Sequence, residues 1–529
     1  MDTNKLFDKN LNKVEKKKQA HIKRVERNKK YFEDVLRKLE CPKLTLEKKL
    51  NISNAFLKKF WMRSFGYFYS TKLEHFLISA AESIGHDCGG IEYKNNTFLH
   101  VMSEVNLTGG HTRVVERWIE LSDKYITHSI AVTGQQVTIS QKMKDAVSSR
   151  NGEIVLLEET EDMLALGLDL RNYASRYEYI ILHSHPYDII PSIAFGTKKF
   201  KRPVIFFNQA DHLFLNAKSI ADVFLDLRTD TCISKSKRLI NYSLKCPIPS
   251  DVSVKPHNDR ITAREKLGLS YDDKIIVLAG SASKFFPICE DGLFDVIAEI
   301  LESVENYLVC AIGVTLKNKH WKSLKNKFKE RIKIIPSIPY GEYINYVAAA
   351  NLVIDSYPLG GGTVLVDAIT QKTPFVSLEN VIGQSDFVVN SEGYCHTKEE
   401  LVQKVQRVLN DEKYAINLLD NEIDLFEKDH HPTNWKKNLD EILKTVPKTH
   451  SIRDIINEIE PSEIDMYCIV VNNCYSRSLL GLMVRPIPNA NGVMIGIKGI
   501  LEARSFTYNV RRYWQIRIFN MPVFTIAIN

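Results

Sequence analysis

Between Asn351 and Leu378 the chain reads NLVIDSYPLGGGTVLVDAITQKTPFVSL. The apolar run Leu352, Val353, Ile354 stops at Asp355, and a proline and three consecutive glycines follow. Thr363 to Lys372 then has helical character, Pro374 ends it, and Phe375 to Leu378 is apolar again. Strand, Gly-rich turn, helix and strand in that order offer backbone N–H groups and a helix N-terminus to a phosphate. Glycine suits the turn because a Cβ would hold a diphosphate away from the main chain. A tight connection with no ligand uses the same residues, so the rest of the chain must decide.

Three further groups of residues have chemistry to offer. Lys284 follows the apolar run Lys274 to Leu278 and would bring a cation to an anion at a strand end; a surface lysine is the plainer alternative. Gly109 and Gly110 follow the apolar stretch Phe98 to Val105 and precede His111 and a helix at Thr112 to Leu121, a strand–Gly loop–helix opening. Tyr179 to Leu182 runs into His183-Ser184-His185, and Val204 to Asn208 into Gln209-Ala210-Asp211-His212. Polar residues where buried parallel strands end are where open α/β sheets hold ligands. A general base needs a suitable pKa and a place in a cleft. His111, His183, His185, Asp211 and His212 are the candidates, each of which also has a structural reading as a satisfied binding or packing group.

Elements that would position these residues alternate. Strands and helices follow one another over residues 96–256 and again over 257–445, which implies two doubly wound parallel sheets, an α/β fold. Residues 1–95 read as a basic helical region: a helix over about 10–40, a break at Cys41-Pro42, and a second helical stretch from Leu44 to Ala81. Phe60, Trp61, Phe65, Tyr67, Phe68 and Tyr69 crowd that stretch, as core packing or as part of an acceptor groove. Residues 446–529 read as a small β-rich appendage, with strands expected at Met466 to Val471, Val493 to Ile500 and Trp514 to Asn520.

The wording DSYPLGGGTVLVDAITQKTP resembles the donor-site segment of GT-B glycosyltransferases, and is most similar to the protein O-GlcNAc transferase group. LAGSASKFFPICEDGLFDVIAEIL (Leu278 to Leu301) resembles that group's strand, phosphate-lysine loop and helix. RIKIIPSIPYGEYINYVAAANLVIDSYP (Arg331 to Pro358) resembles its base-reading segment. The likeness covers residues 275–410 well and the preceding half in outline. It implies two Rossmann-like halves facing a cleft, with 96–256 on the acceptor side and 257–445 binding a nucleotide sugar. It also implies Ser283 and Lys284 at the diphosphate, Gly360, Gly361, Gly362 and Thr363 on phosphate oxygens, and Asp367 on the ribose hydroxyls. The backbone near Ile338 and Pro339 would face the base. GGHTR resembles the opening of a GT-B N-terminal half, with Gly109, Gly110, His183 and His185 lining the cleft. His111 is the preferred base, since the loop after the first strand borders the reacting carbon in that fold.

Two departures bear on mechanism. Gly362 stands where the family has a histidine, and of the E-x7-E pair of retaining enzymes only Asp367 is present, with Leu359 at the first position. An inverting reaction is favoured. The absence of a DxD triplet removes the common metal-holding motif, so the expectation is no metal and no cofactor beyond the nucleotide-sugar donor. The alternatives are a degenerate GT-B scaffold that binds nucleotide or glycan, or a sugar-nucleotide epimerase, which would need paired carboxylates around the sugar.

Composition narrows the setting. The 529 residues are 44% hydrophobic with a formal net charge of +7, and a mean hydropathy of -0.20 is that of a soluble chain. No stretch suits a transmembrane helix and the N-terminus lacks an apolar signal region, so a cytoplasmic protein is expected. Nine scattered cysteines without a CxxC pair read as reduced thiols, and no zinc-ligand spacing occurs. Residues 12–30 carry Lys13, Lys16, Lys17, Lys18, Lys23, Arg24, Arg27, Lys29 and Lys30. That density is a solvated helix face or a site for an anionic membrane or polyanion. Nucleic acid is not expected, because no RNP-like or zinc-finger pattern accompanies it. The acceptor is expected to be a polysaccharide, lipid-linked or protein hydroxyl, acted on by a bacterial enzyme at the inner face of a membrane.

Overall fold

The computed structural model describes the chain except residues 1–2, 62, 86–87, 89, 106–109, 135–138, 158–159, 161, 229–236, 239, 241, 252–255, 257, 288–291, 454, 456–463, 475–481, 487–492, 498–500, 509–510, 519–520 and 529. It forms two compact units, Met1–Cys474 and Tyr475–Asn529.

The larger unit holds two wholly parallel sheets. In the first, β1 (Lys94–Met102), β2 (Thr127–Val132), β3 (Ile154–Leu156), β4 (Tyr177–His183), β5 (Val204–Asn208), β6 (Val223–Asp226) and β7 (Ser243–Lys245) lie in the order β3-β2-β1-β4-β5-β6-β7. In the second, β8 (Lys274–Ala279), β9 (Tyr307–Ile312), β10 (Ile332–Ile335), β11 (Leu352–Ile354), β12 (Phe375–Leu378) and β13 (Tyr394–Cys395) lie in the order β10-β9-β8-β11-β12-β13. Both are doubly wound, as the alternation predicts. The strands read as near-continuous apolar runs because helices cover both faces. Ile276, Leu278 and Val309 pack on one side of the second sheet and Ile275, Val277 and Cys310 on the other, all at most 1% exposed.

Strand order reverses between β1 and β4 in one sheet and between β8 and β11 in the other. Such reversal points are where open α/β sheets leave a crevice at the C-terminal strand ends. Gly110 and His111 follow β1, His183 ends β4 and His185 follows it, Lys284 follows β8, and the glycine turn follows β11.

Several elements depart from expectation. Leu44 to Ala81 is two helices, Leu46–Phe60 and Thr71–Ser83. Gly66 takes a positive φ of 78° between them, and the Ser70 hydroxyl accepts the Leu73 N–H to start the second. Most of the intervening aromatics are core: Phe60, Phe65, Phe68 and Tyr69 are at most 5% exposed, and Phe56 stacks on Phe60 at 4.5 Å. Met466 to Val471, expected as a strand, belongs to a helix, Met466–Cys474. A short unbroken apolar run carries no period to tell helix from strand, and here it packs on the N-terminal helix, where the Asn28 amide donates to Asn472 Oδ1 at 3.3 Å.

Residues from 446 onward therefore do not separate where expected. His450 Nδ1 lies 2.8 Å from Asp222 Oδ2, and the Arg453 guanidinium donates to the Ala221 carbonyl at 2.9 Å, so this segment closes over the first half. The smaller unit is a five-stranded antiparallel meander, β14 (Leu482–Pro486), β15 (Val493–Ile497), β16 (Leu501–Tyr508), β17 (Arg511–Ile518) and β18 (Met521–Ile528). Of the strands expected at Val493 to Ile500 and Trp514 to Asn520, residues 498–500 and 519–520 lie outside the described residues.

Candidate functional site

Asp355 shapes the glycine turn. It is 4% exposed, and its Oδ1 accepts the N–H groups of Ser356 at 2.8 Å and Gly361 at 2.7 Å. Its Oδ2 accepts the Ser377 hydroxyl at 3.0 Å. The turn is thus folded back over a carboxylate, and the glycines have a local reason to be there: a Cβ at Gly360 would lie 3.0 Å from Asp355 Oδ2 and one at Gly361 3.3 Å from Oδ1. Burial raises the pKa of Asp355, and the Gly361 N–H and the Lys284 charge pull against that rise.

Lys284 ends a short 3-10 turn, Ala282–Lys284, and its Nζ donates to the Gly360 carbonyl at 2.9 Å. The helix Gly362–Thr370 begins at the turn with Gly361 as its N-cap and no side-chain cap. Cation, glycine turn and helix N-terminus are therefore brought together, an arrangement of groups that can hold an anion. Ser283 is half-buried and its hydroxyl pairs with Ser281 at 2.6 Å. Ile338 is half-buried and Pro339, exposed, precedes the helix Tyr340–Ala349.

The opposite half meets this turn closely. A Cβ on Gly110 would lie 3.1 Å from Thr363 Oγ1, so the loop after β1 and the turn after β11 face each other. Gly109 lies outside the described residues. Gly110 opens the helix Gly110–Leu121, and from it Arg113 and Arg117, four apart on one face, cross between the halves. Arg117 donates to Asp367 Oδ1 at 2.5 Å and to Asp251 at 3.2 Å. Arg113 donates to Asp251 at 2.9 Å and stacks 3.3 Å from the Tyr340 ring centroid. The Tyr340 hydroxyl donates to Asp251 Oδ2 at 3.1 Å and Asp367 Oδ1 at 3.3 Å.

Asp367 thus sits in a buried ionic network, not on an open wall. Burial pushes its pKa up while Arg117 and Arg113 pull it down, leaving it above its ordinary value. Asp251 ends lower: burial raises it, but Arg117 and Arg113 more than offset that and hold it well below the usual range. Sequence reasoning misses Arg113, Arg117, Asp251 and Tyr340; the i, i+4 arginines beside Val114, Val115, Trp118 and Ile119 are the one available signal.

The histidines separate into two groups. His183 is 1% exposed; its Nε2 lies 3.0 Å from His100 Nδ1, and its Nδ1 lies 3.0 Å from the Gln209 amide. His100 Nε2 in turn lies 2.9 Å from His128 Nδ1. This ladder crosses β2, β1 and β4 inside the sheet, so both nitrogens of His183 are taken and the residue braces the sheet instead of lining the cleft as expected. Burial holds all three rings neutral, pushing His100 down to about 3.

His111 and His185 form the second group. Both rings are half-buried and their centroids are 5.2 Å apart. His111 Nε2 and both nitrogens of His185 are buried with no hydrogen-bond partner among the described residues. Burial, with a smaller contribution from His185, pushes the His111 pKa down to about 3.

Asp211, expected as a candidate base, is committed to an ion pair. Its Oδ2 accepts from Arg228 Nε at 2.7 Å, and although burial raises its pKa, the Arg228 charge outweighs this and holds it well below the carboxylate range. Arg228 also reaches the other half, where a Cβ on Gly383 would lie 2.9 Å from its Nη1. His212 Nδ1 lies 3.7 Å from Asp211 Oδ1; its pKa is lowered by burial and partly restored by Asp211. The pair braces Arg228. Among the described residues, no three or more His, Cys, Asp or Glu side chains converge as a metal site.

Two sheets whose reversal points face one another across such a crevice have solved counterparts. The HepE protein of Anabaena, in complex with UDP and glucose, superposes with a TM-score of 0.51 at 13% identity over 66% of this chain and 100% of its own. Sucrose-phosphate synthase from Thermosynechococcus elongatus superposes with a TM-score of 0.51 at 12% identity over 66% of this chain and 98% of its own.

The fold is GT-B.

A mutant of the O-GlcNAc transferase of Thermobaculum terrenum also superposes, with a TM-score of 0.49 at 12% identity over 75% of this chain and 80% of its own. No protein-family model matches the sequence, and no curated protein matches it either. At these identities the likeness concerns the GT-B fold alone.

The interior of this GT-B chain also makes a prediction about acid. A neutral buried imidazole has a folded pKa below its unfolded value, so the unfolded chain binds more protons below about pH 6.5 and stability falls as pH falls toward the folded pKa. Relative to His100→Leu, the wild type is expected to lose roughly 1 kcal/mol per pH unit below about pH 6.5. Buried Glu74, whose pKa burial raises to about 7, works in the opposite direction in both proteins and cancels in the comparison. Urea unfolding at pH 7 and pH 5 reads the difference; a gap that does not change with pH would contradict a neutral ladder.

Proposed function

We propose that this chain is a glycosyltransferase that moves a sugar from a nucleotide-sugar donor, UDP-linked, to an acceptor hydroxyl by a metal-independent inverting displacement. The observation that carries the proposal is the Lys284 ammonium laid over the glycine turn at an uncapped helix N-terminus, directly opposite the Gly110 loop. That HepE, of the same fold, is held with UDP and glucose supports the choice of donor.

In this mechanism the acceptor oxygen bonds to the anomeric carbon as that carbon's bond to the diphosphate oxygen breaks, and the acceptor proton passes to the base. The leaving diphosphate takes up charge that Lys284 and the N–H groups of Gly362 and Thr363 neutralise, a preorganised arrangement of the kind that lowers such barriers most. Asp367 serves the ribose by exchanging part of its contact with Arg117. Leu359, apolar, stands where a retaining enzyme has a carboxylate, which favours inversion.

His111 is the base we propose, because it follows Gly110, which abuts the turn, and its Nε2 is free of other partners among the described residues. His111→Asn is expected to lower kcat by about 10²–10⁴ while leaving nucleotide affinity within about twofold. With its pKa pushed down to about 3, the base stays unprotonated and the kcat profile is expected to be flat between about pH 5 and 8. An inflection near the ordinary imidazole value of about 6.5 that His111→Asn abolishes would show the ring to be unshifted.

The acceptor is a polysaccharide, lipid-linked or protein hydroxyl, and the setting we propose is bacterial, cytoplasmic and peripheral to an anionic membrane. Supporting this, Lys16, Lys17, Lys23, Arg24, Arg27 and Lys30 are exposed on the helix Thr3–Glu40; the side chain of Lys13 lies outside the described residues. Among the described residues no helix is long and apolar enough to cross a membrane. The test of donor binding is thermal unfolding with UDP-, GDP-, dTDP- and CMP-sugars. One nucleotide class should raise the midpoint by mass action, and no shift with any would favour the scaffold alternative.

A further inference from the structure

Beyond the donor turn, the half containing β1 presents a second set of groups around the proposed base. Trp61, half-buried between the helices Leu46–Phe60 and Thr71–Ser83, lies 5.1 Å from the His185 ring and 5.4 Å from the Tyr187 ring, edge-on to both. His185 is 5.2 Å from His111, and His111 adjoins Gly110, which abuts Thr363 of the donor turn. A continuous run of neighbouring residues therefore leads from the donor turn through His111 and His185 to Trp61.

What lines that path is unusual in its chemistry. His111 and His185 together keep three buried ring nitrogens without partners among the described residues. A buried polar group left unpaired costs about 1–3 kcal/mol, so the arrangement is poor in itself and is improved by a ligand rich in hydroxyls. A neutral imidazole offers one donor and one acceptor, and a hydroxyl can satisfy either. Burial lowers the His185 pKa, with Glu104 and Asp188 opposing. The remaining surface is aromatic: Trp61 is partly open and Tyr187 lies behind, its hydroxyl bonded to Glu104. An aromatic plate beside paired hydrogen-bonding groups suits a ring with an apolar C–H face and a polar rim. It does not suit an extended peptide, which needs main-chain partners, or a lipid chain, which needs no imidazoles.

We infer that the acceptor is itself a sugar residue, with its C–H face on Trp61 and its hydroxyls on His185 and His111. This rests on the transferase reading and narrows its acceptor to a glycan. The hydroxyl facing His111 bonds to the donor's anomeric carbon, its proton goes to His111 Nε2, and the bond to the diphosphate breaks. His185 is a binding residue and Trp61 a specificity residue in this scheme.

The test uses the full chain with UDP bound. Saturation-transfer NMR with a panel of p-nitrophenyl hexosides and hexosaminides is expected to show saturation of the sugar C–H protons for at least one of them. Trp61→Ala should lose that signal, Trp61→Phe should keep most of it, and His185→Ala should weaken binding about tenfold or more. The UDP-induced rise in unfolding midpoint should survive in all three, showing that they fold and that the donor site stands. The inference is overturned if UDP binds but no glycoside is saturated. It is equally overturned if saturation survives Trp61→Ala, or if a serine/threonine peptide is glycosylated in preference to every glycoside. If no nucleotide shifts the wild-type midpoint, the transferase reading itself falls and takes this inference with it.

Discussion

Replacing Arg117 by methionine is expected to destabilise the larger unit by about 3–5 kcal/mol, the effect of breaking a buried ion pair from one side. The guanidinium is fully buried and answers two carboxylates, Asp251 and Asp367. Without it Asp367, 3% exposed, keeps the Tyr340 hydroxyl but no cation bonded to it among the described residues, and must be protonated or left as a buried charge. The double variant Arg117→Met/Asp367→Asn removes the orphaned charge and should recover most of the loss, because a pair replaced by neutral groups often costs little. Urea unfolding of the two variants measures both effects. A single variant within about 0.5 kcal/mol of wild type, the range of ordinary surface changes, would mean that the network contributes nothing to holding the halves together. Both variants should bind nucleotide less well if the ribose uses Asp367 in the geometry that Arg117 sets.

The second large effect belongs to Lys284. Truncation to alanine removes a charged donor from the turn, and hydrogen bonds to charged groups contribute about 1.5–3 kcal/mol, or about 10–100-fold in affinity. The loss should be selective: UDP weakens by that factor while uridine changes little, since the cation answers the phosphates and not the base. Calorimetric titration of both ligands checks this. Equal weakening of UDP and uridine would mean that Lys284 acts only by holding the turn through Gly360.

Much of this architecture can be read from residues before any coordinates. Apolar runs that end in glycine or polar residues mark the strand ends, and the glycine turn, Lys284 and the Gly110 loop do lie at the two reversal points. What cannot be read depends on contacts between distant parts of the chain. Arg117 meets Asp367 across 250 positions, and His100, His128 and His183 meet only because three strands pair side by side, with His128 opposite Phe98 and His183 opposite Met102. Asp211 looks like a base until Arg228, on a separate strand end, is seen beside it. Met466 to Val471 is ambiguous for a different reason, since an apolar run that short fits a buried helix as well as a strand.

The most direct measurement is the turnover of nucleotide sugars by the purified chain. Wild type and Lys284→Ala would be incubated with UDP-, GDP-, dTDP- and CMP-sugars, with p-nitrophenyl glycosides present, and followed by ³¹P NMR. The expected result is consumption of one UDP-sugar by the wild type, with UDP as the phosphorus product and a new glycosidic bond in the acceptor, and little consumption by Lys284→Ala. A donor that binds in the cleft and is never consumed, or is consumed equally by both proteins, would contradict glycosyl transfer at this site.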